Sequence, residues 1–173
     1  QAVPTPLTEE RVRARVLIVA KTRLGSRACV GGITFEGRSV RLVPPDLTAN
    51  ERAGMQYEVG DVWEIEFELP GKLRPPHTEN LVVRSGRRVG RMDAPTEFIL
   101  KHMPPVMGGP EALHQGMARP AESGALHLAE STGIPPFSTL FWRSDRPLIR
   151  DDRWKRLRYR YGSLSGPCLT YVG

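Results

Sequence analysis

RVLIVAKTRLGSRACVGGITFEGRSVRLV, residues 15–43, is the stretch that decides the fold. Two apolar runs, 16–20 and 28–35, are separated by a short glycine-containing turn, and a third run covers 39–43. Apolar runs with such short connections predict a β-hairpin that continues into a third strand. The pair Gly31-Gly32 predicts a bulge or a sharp bend, which a strand needs when a small barrel closes.

The clearest single strand follows at 63–69. Apolar side chains alternate there with acidic ones, Trp63, Ile65, Phe67 and Leu69 against Glu64, Glu66 and Glu68. This period of two predicts a half-buried strand. We expect the aromatic and aliphatic side chains to be buried together, and the glutamates to face solvent or to pair with arginines of a neighbouring strand.

Further strands are predicted on both sides of one helix. A short strand at 81–83 and a basic, hairpin-like segment at 84–91 bring the count between 11 and 91 to about five strands, enough to close one small barrel. Residues 93–103 predict a helix, with Pro95 in its first turn. Residues 105–136 are rich in Gly, Pro and Ala and predict long loops. Strands are predicted again at 138–143, 155–161 and 168–172.

The composition favours a basic, strand-rich protein. The 173 residues include sixteen prolines and seventeen glycines, which argue against long helices, and the formal net charge is +6. The planar guanidinium of arginine binds phosphate well, so the positive charge favours an anionic partner. The alternative is a basic protein that has no anionic partner.

The two cysteines, Cys29 and Cys168, form no metal-ligand set, and no metal or other cofactor is expected. Both cysteines lie in apolar, strand-like contexts, which predicts buried free thiols and a cytoplasmic protein, with a disulfide between the two as the alternative. No apolar run in the sequence has the length needed to span a membrane, so no membrane association is expected.

The strongest functional signal is FWRSDRPLIRDDRWKRLRYRY, residues 141–161. It holds eight basic and three acidic side chains, interleaved with tryptophan and tyrosine. Arginines neutralise phosphates and aromatic rings stack on bases, so the pattern predicts a nucleic-acid surface. An ordinary strand explains the pattern equally well, with Tyr159 and Tyr161 on a core face and Arg158 and Arg160 on a solvated face.

Catalytic chemistry has little support. Asp145, Asp151 and Asp152 could hold Mg²⁺, but neighbouring arginines indicate ion pairing instead. His77, near Glu79 in a proline-rich loop, could do acid–base work, although a loop histidine bonded to backbone is commoner. We therefore expect a protein that is not an enzyme, and keep a small enzyme or nucleotide sensor around His77 as an alternative.

Several segments resemble the dual OB-containing domain family of prokaryotes. They are VLIVAKTRLGSRACVGGITFEGRSVRLV (16–43), VGDVWEIEF (59–67), PPHTENLVV (75–83), FWRSDRPL (141–148) and LTYVG (169–173). The resemblance runs from about residue 16 to the C-terminus and is weakest at 104–136. The positions that carry it are Lys21, Arg23, Gly31, Gly32, Arg41, Pro76, His77, Glu79, Trp142, Arg143 and Arg146.

The resemblance implies two tandem OB-like barrels and a nucleic-acid-binding role, often in bacterial defence or mobile-element contexts. It carries over no catalytic residue. We predict a mostly β protein with a first OB-like barrel and N-terminal arm at 1–94, and a linking helix and second barrel at 95–173. The predicted function is an accessory or targeting module that binds single-stranded DNA or RNA. A protein-interaction scaffold in a larger assembly is the alternative.

The predicted binding residues lie in both barrels, and we expect them to contribute to one continuous positive face. They are Lys21, Arg23, Arg27, Arg41, His77, Trp142, Arg143, Arg146, Arg158 and Arg160.

Overall fold

The computed structural model describes residues 12–24, 26–46, 50–51, 56–120, 126–155 and 157–170, so the predicted N-terminal arm lies outside the described residues. The chain divides into two compact units. Gln1–Lys72 and Asn80–Asp93 form the first, and Leu73–Glu79 and Ala94–Gly173 form the second. The sequence assigns Leu73–Glu79 to the first barrel, whereas the structure includes this segment in the second unit.

Six strands make up the sheet of the first unit. They are β1 (Val12–Leu24), β2 (Arg27–Thr34), β3 (Ser39–Val43), β4 (Asn50–Glu51), β5 (Asp61–Glu68) and β6 (Asn80–Arg91). The strand order is β1-β5-β6-β3-β2-β4, and β1 also pairs with β2. The pairings therefore form a closed ring of five strands, with the short β4 added to the edge of β2. All pairs are antiparallel except β3 with β6.

The alternation in β5 is confirmed. Trp63, Ile65 and Phe67 are each at most 7% exposed. They pack in one cluster with side chains from the other strands of the ring, including Val16, Ile18, Val30, Val40, Leu42 and Leu81. Leu69 lies beyond the end of β5 and is exposed. Burial of these apolar side chains is the main term that stabilises the first unit.

The predicted irregularity lies on the partner strand rather than on the glycines. The register shifts between Ile18 and Ala20, so Val19 is the extra residue of a bulge in β1, opposite Gly31 and Gly32. A Cβ on Gly32 would collide with Val16 and would lie 3.0 Å from the carbonyl oxygen of Leu17. Glycine is therefore needed at 32 because β1 and β2 approach closely where β1 bends.

The hairpin-like interpretation of residues 84–91 is wrong. β6 is one continuous strand that pairs with β5 from Val82 to Arg91, and its register shifts twice. Arg84 and Val89 are the two extra residues, so the glycines at 86 and 90 lie within two residues of a bulge and not in a turn. Bulges and turns share the same glycine signal, which is why the sequence did not separate them.

The second unit has shorter elements. Helix α1 (Pro95–His102) confirms the predicted helix. The strands are β7 (Val106–Gly108), β8 (Arg119–Pro120), β9 (Leu126–His127), β10 (Trp142–Ser144), β11 (Leu148–Asp151), β12 (Arg158–Tyr161) and β13 (Cys168–Thr170). Two 3₁₀ segments, Pro110–Gly116 and Glu130–Thr132, lie between them.

These strands pair in three small sheets. β10 pairs with β7 in parallel, β8 with β9, and β11-β12-β13 form an antiparallel sheet. The pairings among the described residues of this unit do not close a ring, so the second OB-like barrel stays a prediction. No helix within the described ranges is long and apolar enough to cross a membrane.

Candidate functional site

The outer face of β1, β5 and β6 is a ladder of ion pairs. Glu64 lies 3.6 Å from Arg15 and also pairs with Arg87. Glu66 lies 3.5 Å from Arg13, and Glu68 lies 2.7 Å from Arg84. The predicted pairing of the acidic stripe with neighbouring arginines is thereby confirmed, and most of the basic charge on this face is neutralised locally.

A shallow groove of about 280 Å³ runs along the same face, lined by Arg13, Glu64, Ile65, Glu66, Ser85, Gly86 and Arg87. Its lining carries two positive and two negative side chains. A surface of balanced charge offers little attraction to a polyanion.

At the end of the ladder, Asp61 is buried and accepts hydrogen bonds from two arginines. Arg88 donates from Nε at 2.7 Å and Arg91 from Nη1 at 3.2 Å. The hydrogen bond from Arg88 holds the pKa of Asp61 below its ordinary value, against the opposing effect of burial. These arginines serve the fold of the first unit, because they satisfy a buried carboxylate.

The predicted binding residues of the first unit differ in their surroundings. Lys21 pairs with Glu58 at 3.0 Å. Arg27 is exposed at the start of β2, and Arg41 is half-buried on β3, opposite Gly31. Arg23 belongs to β1, where it pairs with Ala28, but its side chain lies outside the described part.

In the second unit, buried Asp151 organises the basic segment. Its carboxylate accepts hydrogen bonds from Arg153 Nε at 2.7 Å and from Arg160 Nε at 2.9 Å. The hydrogen bonds from Arg153 and Arg160 hold the pKa of Asp151 far below its ordinary value. Arg160, predicted to contact a ligand, therefore already serves a carboxylate of its own sheet.

The connection between β11 and β12, residues 152–157, carries Trp154. This side chain is 50% exposed, and the Cζ of Arg158 lies 4.1 Å from the centre of its ring. A guanidinium at this distance makes a cation–π contact. A second such contact joins Arg146 to Tyr161, at 5.8 Å, and the Tyr161 hydroxyl donates to Asp145 at 2.5 Å.

Trp142 and Arg143 lie side by side on β10 but face different surroundings. Trp142 is half-buried, and its indole Nε1 donates to the carbonyl oxygen of Gly108 on β7 at 3.0 Å. This contact ties the indole to the neighbouring strand. Arg143 is exposed, as expected for the opposite face of a strand.

His77 and Glu79 lie on the segment Leu73–Glu79. His77 is exposed, and its backbone N–H donates to the carbonyl oxygen of Arg74 at 2.8 Å. Glu79 is buried and accepts four hydrogen bonds, from the backbone and hydroxyl groups of Ser138 and Thr139, at 2.8–3.1 Å. Glu79 thus anchors this segment to the loop at 138–139.

Four basic side chains of the 141–161 segment carry no ion pair with any described residue. They are Arg143, Arg146, Lys155 and Arg158. By contrast, Arg150, Arg153 and Arg160 each have an aspartate partner. Uncompensated positive charge in the second unit therefore collects around β10, β12 and the Trp154 connection. Within the described ranges, no group of three potential ligand side chains could hold a metal ion.

Sequence reasoning did not select Trp154 and Lys155. The signal for Trp154 was available, because DDRW, residues 151–154, lies between the strands predicted at 138–143 and 155–161 and consists mainly of charged residues. Charged residues on both sides of Trp154 keep the connection at the surface, so its aromatic ring is exposed. Trp142 lies within a strand, and its indole contacts the neighbouring strand.

The comparisons with known proteins agree with this architecture. The sequence model of the family described as "Dual OB-containing domain" matches residues 14–164. No curated protein and no solved structure matched the chain. A closed five-stranded sheet is the architecture of an OB fold, and OB-fold domains generally bind nucleic acids or proteins.

Proposed function

The chain belongs to the dual OB-containing domain family, and from that premise we propose that it binds single-stranded nucleic acid as an accessory module without catalytic activity. The proposal rests on the basic side chains of the 141–161 segment that form no ion pair with a described carboxylate, Arg143, Arg146, Lys155 and Arg158. Each can contact a phosphate without first giving up an ion pair, so its full charge is available.

One further feature supports single strands over duplex. Trp154 is half exposed beside these charges, and an exposed indole can stack only on a base that is not already stacked within a duplex. In the first unit, Arg27, Arg41 and Arg23 are proposed to add phosphate contacts.

The test is a titration of a fluorescently labelled oligo(dT) of about 15 nucleotides, followed by anisotropy. The variant Arg143→Gln/Lys155→Gln should bind several-fold more weakly than the wild type. The matched control, Arg13→Gln/Arg87→Gln, removes the same net charge from exposed arginines that have glutamate partners, and should bind nearly as well as the wild type.

Three results would count against the proposal. Equal losses in the two variants would indicate attraction by net charge alone. An affinity for duplex equal to that for the single strand would remove the argument from stacking. No binding by the wild type would leave protein binding as the function of the domain.

A further inference from the structure

Trp154 and Arg158 form a stacked pair that the proposed binding of single strands does not by itself explain. We propose that Trp154 is a base-stacking site whose inner face is backed by the Arg158 guanidinium, and that this site prefers purines, with guanine bound most tightly. The inference rests on the proposed function and adds a preference among bases to it.

The geometry leaves one face of the indole for a ligand. Arg158 lies centrally over the ring, with Cζ 4.1 Å from its centre, and so covers one face. The side chain of Trp154 is nevertheless 50% exposed. A base can therefore stack on the face opposite Arg158, to give a sandwich of guanidinium, indole and base.

The positive charge behind the ring determines which base stacks best. The face of an aromatic ring is electron-rich, and a cation on one side draws that density toward itself. The outer face of Trp154 is then less negative and repels an electron-rich base less. Purines have the larger ring surface, and guanine is the most electron-rich base, so both effects favour guanine over thymine.

Arg158 forms no ion pair within the described part of the chain, and its Nε is buried without a hydrogen-bond partner there. It lies on the central strand of its sheet, paired with Asp151 on one side and Thr170 on the other. The guanidinium is thus held beside the indole by the strand and not by a carboxylate.

Asp151 fixes the other half of the site. Its carboxylate is 1% exposed and binds Arg153, the residue before Trp154, through Nε, Nη2 and the backbone N–H. The same carboxylate binds Arg160 on β12. Asp151 therefore ties the start of the connection to the strand that carries Arg158, which makes it a positioning residue for the Trp154 ring.

The experiment compares four single strands of equal length that differ at one central base. Each has a thymine background of about 15 nucleotides, with T, C, A or G at the centre. The wild type should bind the strand with G about three- to tenfold more tightly than the all-thymine strand, with A between them. Trp154→Ala should abolish the difference, and Arg158→Met, which keeps the length of the side chain but not the charge, should reduce it.

Arg143→Met is the matched control, because it removes an exposed positive charge that is not stacked on Trp154. It should weaken binding to all four strands equally and leave the ratio between G and T unchanged. Binding without a base preference, or a preference retained in Trp154→Ala, would overturn this inference while leaving the proposed function intact. Absence of binding to every strand would overturn both.

Discussion

Glu79 illustrates how a single buried side chain can hold a segment in place. Its carboxylate accepts hydrogen bonds from four donors on two adjacent residues and pairs with no cation of the described residues. The motif PPHTEN attracts attention because histidine and glutamate lie close together, as in an acid–base pair. In the folded chain the glutamate binds Ser138 and Thr139, and the histidine is exposed. The glutamate of this motif therefore anchors the segment, and this role accounts for it without acid–base chemistry.

The first prediction concerns Glu79→Leu. Leucine has no acceptor for the backbone N–H groups of Ser138 and Thr139, and an unsatisfied buried group costs about 1–3 kcal/mol. The free energy of unfolding, measured with urea, should fall by at least that amount. Glu130→Leu, the same change at an exposed position of the same unit, should leave it nearly unchanged. Equal stability of both variants would contradict the anchoring role.

The two tryptophans of the second unit should separate stability from binding. Trp142→Ala should lower the free energy of unfolding by about 2 kcal/mol, because the indole is half-buried and its N–H is bonded to Gly108. Trp154→Ala should leave stability nearly unchanged and lower the affinity for single strands by about 1–3 kcal/mol. Urea denaturation and anisotropy on both proteins check the pair, and the reverse pattern would identify Trp142 as the stacking residue.

Among the strands, β1 and β2 depend on one close contact. Gly32→Ala should destabilise the first unit by about 1–3 kcal/mol, because the new methyl group would meet Val16 and the Leu17 carbonyl. Gly90→Ala is the matched control, since a Cβ at Gly90 would meet nothing within 4 Å. Thermal unfolding should show a lower Tm for the first variant only. A normal Tm for Gly32→Ala would mean that the strands can separate there at little cost.

The hairpin β11–β12 should show a characteristic pH dependence. The pKa of Asp151 is lower in the folded than in the unfolded chain, so its ion pairs stabilise the fold fully above about pH 5 and progressively less as the pH falls through the unfolded value of about 3.9. The difference in Tm between wild type and Asp151→Asn should therefore be largest near neutral pH and shrink in acid. A difference independent of pH would show that the carboxylate is not ionised in the fold.

Whether a structural feature can be predicted from the sequence depends on the kind of contact that produces it. The alternation of apolar and acidic residues in 63–69 predicts which side chains lie on each face of β5 without knowledge of the neighbouring strands. This is possible because successive side chains of a strand point to opposite faces. The partners of each arginine depend on register, which bulges at Val19, Arg84 and Val89 shift. The sequence selected Arg143, Arg146 and Arg158 but also Arg160, because Arg158 and Arg160 look alike until Asp151 is placed beside Arg160.

The two units differ in how their interiors are built. Within the described residues, every buried apolar side chain lies in the first unit, apart from Pro110 and Pro135. The second unit relies on polar centres such as Asp151 and Glu79. Regions with few buried apolar contacts open more easily. Amide hydrogens of β11–β13 should therefore exchange faster than those of β1, β2 and β5, and a saturating single strand should slow them; equal protection in the two units would contradict this.

The dependence of single-strand affinity on salt tests the electrostatic proposal most directly. Each phosphate neutralised on a single strand contributes about 0.7 to the slope of log Kobs against log salt concentration. The wild type should show a steep negative slope. The variant with Arg143, Arg146, Lys155 and Arg158 all changed to Gln should lose about 3 from that slope if each side chain contacts one phosphate. Equal slopes for the two proteins, or a wild-type affinity that does not change with salt, would contradict the proposal.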